Sequence, residues 1–257
     1  KKIIICCGGI ESVRLIQNSI NKKKLKNIKN KNLIGKYFMD HPKFDLGYLE
    51  YPKLDIISQI EVKKKDSFIS YYGISLKKDI QINKNLLNTY VRFEKPNDRI
   101  SKLLDKFNIP IIKNIFKKRK IFKVRLFCEM MPNINNLITS KKNETLVKLK
   151  LSQIDYDTIN LLTDKLKYFF SLKPKQEKNL NSKNILKRVQ NSSHHMGGLR
   201  FAPDINSSVV DKNLKIIGLK KIYVCSSAIF PTSGSVNPTM TICALANRLG
   251  IYLNKYL

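Results

Sequence analysis

The sequence predicts a mixed fold, α/β plus α+β, on three observations. Short apolar strands stand ahead of helical patterns near both ends of the chain, at 2–6 and at 222–225. The middle carries strand-like runs without the alternation of strand and helix that a parallel sheet needs. A clear amphipathic helix covers 153–170. The middle is therefore predicted to be an antiparallel sheet backed by helices.

The elements of the middle segment follow from local patterns. Basic helical stretches are predicted over 98–119, where Pro110 interrupts them. The predicted strands are 45–51, 56–62, 67–75, 121–131, 136–140 and 145–151.

Composition limits the class of protein. The 257 residues are 42% hydrophobic and 26% charged, which suits one or two globular domains. No apolar run approaches the roughly 18 residues of a membrane span. The net charge of +30 comes from lysines spread along the chain without a nucleic-acid-binding motif, so we predict no nucleic-acid partner. The five cysteines form no CxxC, which predicts reduced, mostly buried thiols, no bound metal, and favours a cytoplasmic location.

The last strand leads into a loop and a long helix. Residues 222–225 are apolar and β-branched or aromatic, and Pro, Ser and Gly then break the strand over 231–235. Asn237 is a good N-cap, and Pro238 suits the first helical position. The apolar face predicted for this helix consists of Met240, Ala244, Leu245, Leu249 and Leu253, which recur at helical spacing. The N-terminus of such a helix suits a phosphate, or a group that gains negative charge. For Asn-Pro-Thr taken alone, an ordinary capped core helix is the simpler interpretation.

Two adjacent histidines precede a Gly-Gly turn. An isolated histidine is more often structural than catalytic. Neutral imidazole, with an unperturbed pKa of about 6.5, can nonetheless accept a hydroxyl proton at neutral pH. His194, Gly197 and Arg200 follow one another at intervals of three residues.

Taken together, the paired histidines, the Ser-Gly-Ser loop and the Asn-Pro-Thr helix start resemble the C-terminal signature of the glucose-methanol-choline (GMC) oxidoreductases. These are flavoenzymes that oxidise alcohols. The opening IIICCGGIESVRLI resembles the last flavin-domain strand, turn and helix of that family, and LIGKYFMDHPKFDLG resembles the segment that leaves this domain, with His41 in a structural Asp-His-Pro. The resemblance implies FAD as cofactor and an alcohol or sugar as the small-molecule substrate.

The resemblance also assigns roles to single residues. The spacing of His194, Gly197 and Arg200 matches the family's pattern, so His194 would remove the hydroxyl proton of the substrate as general base, and Asn237 would hydrogen-bond the same oxygen. His195 falls where the family tolerates many residues, so we assign it to packing or to a position behind the catalytic groups. Ser226 stands where the family commonly has Asp. The residues expected to contact the cofactor are Cys7, Gly8, Ser226, Ala228, Asn237, Pro238 and Thr239.

The family's domain plan predicts three segments. Residues 1–44 would be a remnant of a Rossmann-like FAD/NAD(P)-binding domain, 45–185 the substrate-binding domain, and 186–257 the C-terminal part of the FAD-binding domain. The strand at 2–6 should then pair in parallel with the strand at 222–225. No G-x-G-x-x-G is present, so we expect a missing N-terminal FAD-binding half. The alternatives are an incomplete or decayed half without activity of its own, or one subunit of a split flavoenzyme.

Overall fold

The computed structural model describes residues 1–51, 63–65, 68–70, 73–94, 120–141, 144–170, 173–174 and 193–255. The strands are β1 (Ile3–Ile5), β2 (Lys43–Tyr51), β3 (Lys63–Lys65), β4 (Phe68–Ser70), β5 (Gly73–Ser75), β6 (Thr89–Glu94), β7 (Lys120–Cys128), β8 (Leu137–Lys141), β9 (Glu144–Lys148), β10 (Lys173–Pro174) and β11 (Ile222–Val224). The α-helices are α1 (Gly8–Asn21), α2 (Lys78–Asn83), α3 (Gln153–Phe170) and α4 (Thr239–Asn254). Short 3-10 turns cover Lys31–Leu33, Ile205–Ser207 and Ser227–Ile229. The predicted mixture of helices and sheets is confirmed.

The chain forms two compact units. Unit 1 comprises Lys1–Pro42, Glu129–Asp155 and Asn191–Leu257, and unit 2 comprises Lys43–Cys128 and Tyr156–Gln190. The predicted segment 45–185 differs from unit 2 chiefly because residues 129–155 belong to unit 1, and the outer bounds of unit 2 lie at Lys43 and Gln190. Whether the two units are the cofactor and substrate domains stays a prediction.

Unit 1 is held together by a parallel pair of strands. β1 pairs with β11 in the register Ile3↔Ile222 to Ile5↔Val224, which confirms the predicted pairing. The Cys225 amide donates to the Ile5 carbonyl at 2.8 Å and continues the ladder beyond β11. Residues more than two hundred positions apart in the sequence thus become neighbours in one sheet.

Helix α4 begins one residue later than predicted. Pro238 has αR dihedral angles and precedes the helix, so the prediction of Asn237 as N-cap and Pro238 as first helical residue is shifted by one position. The apolar face is also shorter than the sequence pattern indicates. Leu249 and Leu253 are buried, whereas Met240 is 82% exposed.

Unit 2 contains a five-stranded antiparallel sheet in the order β10-β2-β7-β6-β5, and the predicted antiparallel sheet is confirmed. Strand β6 and helix α2 had no counterpart in the sequence prediction. The predicted strand at 56–62 and the helical stretches at 98–119 lie outside the described residues. The buried side chains of unit 2 alternate along the strands and recur at helical spacing in α3; they include Phe44, Leu46, Val91, Phe93, Val124, Leu126, Ile159, Leu162 and Leu166.

Charged side chains form a network on the sheet of unit 2. The Asp45 carboxylate lies 2.7 Å from Lys123 Nζ and 3.0 Å from Arg125 Nε, and Arg125 Nη1 lies 3.1 Å from Glu94 Oε2. Burial alone would raise the pKa of Asp45. The hydrogen bonds and positive charges of Lys123 and Arg125 together outweigh it, so the pKa lies below its ordinary value.

We expect this network to make unit 2 sensitive to acid. Since folding lowers the pKa of Asp45, its carboxylate stabilises the fold above the unfolded pKa of about 3.9, and this contribution is lost as the pH falls through the folded pKa. Asp45→Asn should therefore lower the free energy of unfolding by about 1 kcal/mol near neutral pH. The gap to the wild type should close below about pH 4. Urea unfolding followed by circular dichroism over a pH series measures both effects.

Asp164→Asn is the matched control, because the Asp164 side chain is 71% exposed and lies 3.4 Å from Lys167 within the same helix. It should change stability little at any pH. A gap between wild type and Asp45→Asn that widens in acid would contradict the assignment.

Candidate active site

The histidine pair lies half-buried in unit 1, on a segment that is hydrogen-bonded to the chain on both sides. On one side, Met39 and Met196 exchange backbone hydrogen bonds of 2.8 Å, and the Gly35 amide donates to the Gly198 carbonyl at 2.7 Å. On the other side, the Leu199 amide donates to the Ala228 carbonyl at 2.9 Å. Residues 194–201 are therefore fixed between the chain at 35–39 and the chain after β11.

His194 is stacked on His41. The two imidazole rings have centroids 4.4 Å apart and an interplanar angle of 14°. Asp40 Oδ1 accepts the backbone N–H of His41 at 2.8 Å and that of His194 at 3.3 Å. Asp40 and His41 are buried, and so is Nδ1 of His194. The Asp-His-Pro motif, interpreted as structural from the sequence, thus forms the immediate surroundings of the candidate base.

His195 occupies a different environment. Its ring lies 5.8 Å from the Phe38 ring, and its carbonyl accepts a 2.6 Å hydrogen bond from Ser227 Oγ. The same carbonyl packs closely on helix α1, since a Cβ placed on Gly9 would lie only 2.2 Å from its oxygen. These contacts agree with a packing role and join α1, the histidine segment and the chain after β11 at one point.

Two of the residues predicted to contact the cofactor, Ser226 and Ala228, form hydrogen bonds within unit 1. Ser226 is buried, its Oγ lies 3.1 Å from Ser12 Oγ of α1, and it accepts the Ala228 amide at 3.3 Å. The Ala228 carbonyl already accepts the Leu199 amide. Both residues therefore connect the turn after β11 to its neighbours.

The loop that carries Asn237 is held in place by a hydrogen bond to Ser233. Ser233 Oγ accepts the Met130 amide at 2.8 Å. Asn237 is exposed and lines a cavity of about 370 Å³ whose walls include Phe230, Leu245 and Arg248. His194 is not among the residues that line this cavity. No described contact joins His194 to Asn237, and their action on one substrate oxygen stays a prediction.

Helices α1 and α4 begin with open N-termini. Neither has a side-chain hydrogen bond capping its first turn among the described residues. Cys7 and Gly8 are exposed at the start of α1, and Gly8 has a φ of 74° with no heavy atom within 4 Å of where a Cβ would stand. At α4, Thr239 is exposed while Pro238 is buried. Unpaired N–H groups and the helix dipole make such ends favourable for an anionic group.

Sequence reasoning missed Asp40, Gly9 and Ser227 as parts of this region. For Gly9, the Gly8-Gly9 pair in the sequence was the signal that could have indicated a close backbone contact. The other two lie on segments whose proximity to His194 depends on tertiary pairing. Among the described residues, no group of three His, Cys, Asp or Glu side chains could hold a metal ion. No helix in the described part of the chain has the length and hydrophobicity to cross a membrane.

Comparison with known proteins agrees with the sequence resemblance. Residues 128–246 match the family model described as GMC oxidoreductase. A cholesterol oxidase of Acinetobacter baumannii is 35% identical over 69 residues, which are 27% of this chain and 12% of that protein. The predicted resemblance to the GMC oxidoreductases is thus confirmed over residues 128–246.

Solved structures are similar in fold. Pyridoxine 4-oxidase from Mesorbium loti matches with a TM-score of 0.56 and 12% identity over 99% of this chain and 51% of its own. An FAD-dependent oxidoreductase from Chaetomium thermophilum matches with a TM-score of 0.60 and 11% identity over 100% of this chain and 55% of its own. The chain therefore spans about half the length of these relatives.

The contact between Gly9 and His195 gives a test of the site's architecture. Gly9→Ala should lower the free energy of unfolding by about 1–3 kcal/mol, because the new methyl group meets a backbone carbonyl that Ser227 already holds. Gly250→Ala is the matched control, since Gly250 is an exposed glycine of α4 with nothing within 4 Å of its Cβ position. That change should stabilise the protein by about 0.4–1 kcal/mol. Urea midpoints measure both, and effects of equal sign and size would contradict the close contact.

Proposed function

We propose that this chain is the C-terminal half of an FAD-dependent oxidoreductase that oxidises an alcohol or a sugar. The observation that supports this most is the placement of His194. It is stacked on a buried His41, and the segment that carries it is hydrogen-bonded to the chain at 35–39 and to the turn after β11. A positioned imidazole is the group most often used to take a hydroxyl proton near neutral pH.

The residues at the two helix starts fit a flavin cofactor. The open space at Gly8 would let a ligand approach the backbone, and the uncapped N–H groups of α1 and α4 favour negative charge. We propose that Cys7, Gly8, Pro238 and Thr239 would hold it directly. Ser226 and Ala228, which are buried, would support the site by holding the turn after β11 in place. FAD bound there would supply the acceptor for a hydride from the substrate.

The protein's own part is to position the substrate hydroxyl and remove its proton. Nδ1 of His194 is buried, so we assign proton transfer to Nε2. Asp40 fixes the backbone of both stacked histidines and thereby the direction of the ring. The exposed amide of Asn237 would donate to the same substrate oxygen and orient it.

The β1–β11 pair supports a second, N-terminal half. Parallel sheets are ordinarily buried on both faces, and two strands of three residues are too few to be stable alone. Here Ile3 and Ile4 are 57% and 46% exposed. We propose that further parallel strands of a Rossmann-like FAD-binding domain cover them. Unit 1 would then be this chain's share of the FAD-binding domain, and the sheet of unit 2 would belong to the substrate domain.

The role of His194 can be tested in the chain joined to an N-terminal flavin-binding half. His194→Ala should slow flavin reduction by the preferred substrate, found in a panel of primary alcohols and sugars, by roughly 10²–10⁴-fold, the usual contribution of a general base. His195→Ala is the control and should cost far less, because its ring packs on Phe38. Stopped-flow flavin bleaching measures both rates.

Equal rates for the wild type and His194→Ala, or a larger loss for His195→Ala, would overturn the assignment of the base. Circular dichroism and FAD content of each variant separate a loss of chemistry from a loss of folding.

A further inference from the structure

Three of the five cysteines are exposed, contrary to the prediction of mostly buried thiols. All five are free: Cys6, Cys7 and Cys243 are exposed, whereas Cys128 and Cys225 are buried. The sequence prediction failed because Cys6 and Cys7 follow an apolar strand that is itself exposed in part.

Two of these thiols meet across the parallel strands. Since Ile5 pairs with Val224, the next residues along the two strands are Cys6 and Cys225. Side chains two residues apart along a strand share a face, so Cys6 lies on the face of Ile4, and Cys225 lies on the face of its partner Tyr223.

The backbone spacing suits a covalent bond between them. Neighbouring strands lie about 4.7–4.9 Å apart, which is inside the Cα separation of about 4.4–6.8 Å found in disulfides. The Cys225 amide is fixed at 2.8 Å from the Ile5 carbonyl, so the strands need not move to bring the thiols together. Cys7, one residue further on, has left the strand and stands at the start of helix α1.

The geometry points to Cys6 and Cys225 as a reversible disulfide that clamps β1 to β11. Two S–H bonds would break and one S–S bond would form, with two protons and two electrons passing to a small disulfide oxidant, which becomes two thiols. Nothing in the proposed oxidoreductase function requires this step, and the inference concerns the chain without the proposed N-terminal half, in which Ile4 and Cys6 are exposed.

The two thiols differ in accessibility, which sets the order of events. Cys6 is exposed and can be reached by the oxidant, so its sulfur forms the mixed disulfide first. Burial, followed by the charge of Cys6, raises the pKa of the Cys225 thiol, so this thiol reacts second. Cys225 loses its proton to solvent, and its thiolate attacks the Cys6 sulfur and displaces the second half of the oxidant as a thiolate, which takes up a proton.

Mass spectrometry after mild oxidation tests the pair. Tryptic peptides 3–14 and 222–248 each contain two cysteines, so the experiment uses the full chain with Cys7→Ser and Cys243→Ser. Glutathione disulfide should then link the two peptides, with the loss of two hydrogen atoms, and dithiothreitol should reverse the link. Adding Cys6→Ser, an exposed and structurally mild change, should abolish it.

A thermal scan gives an independent measurement. The bond closes a loop of more than two hundred residues, so the oxidised double variant should melt about 5–10 °C above its reduced form. The variant that also carries Cys6→Ser should show no such shift. The absence of the linked peptide in the double variant, or a Cys6–Cys7 bond as the main product in the wild type, would overturn the proposal.

Discussion

The pairing of β1 with β11 is the constraint on which the rest of unit 1 depends. It joins the first residues of the chain to residues 222–224, and both strands run in the same direction. Helix α1 and the turn at 226–229 therefore start from the same end of the sheet, where both strands finish. The contacts Ser12–Ser226, Gly9–His195 and Ser227–His195 are all consequences of this arrangement. Without the strand pair, the histidine segment would lose its contacts with the turn after β11 and keep only those with the chain at 35–39.

The elements of the fold could be predicted wherever a local pattern determines them. The apolar strands at both ends, the helix at 153–170 and most of the antiparallel strands of the middle were predicted from local patterns and are present among the described residues. Strand β6 was missed because its alternation is short and follows a helix of six residues that carries no strong pattern. The apolar face of α4 was predicted too long, since Met240 has the right spacing but faces solvent.

The site was predictable only in part, for a physical reason. His194 stands out in the sequence because its spacing to Gly197 and Arg200 is local. The stacking of His41 on His194 spans more than 150 residues, and nothing in the Asp-His-Pro motif indicates its partner. The same holds for Gly9, whose necessity comes from a carbonyl at position 195. Residues that position the candidate base are thus determined by tertiary pairing, whereas the base itself is marked by local sequence.

The central claim is that this chain supplies one part of a flavin site and that a second half supplies the rest. The most direct measurement is FAD retained after gel filtration, read from the flavin absorbance. The isolated chain should elute colourless, whereas the chain joined to an N-terminal flavin-binding half should elute yellow with one FAD per complex. Stoichiometric FAD on the isolated chain, or a complex of the two halves that binds none, would contradict the account.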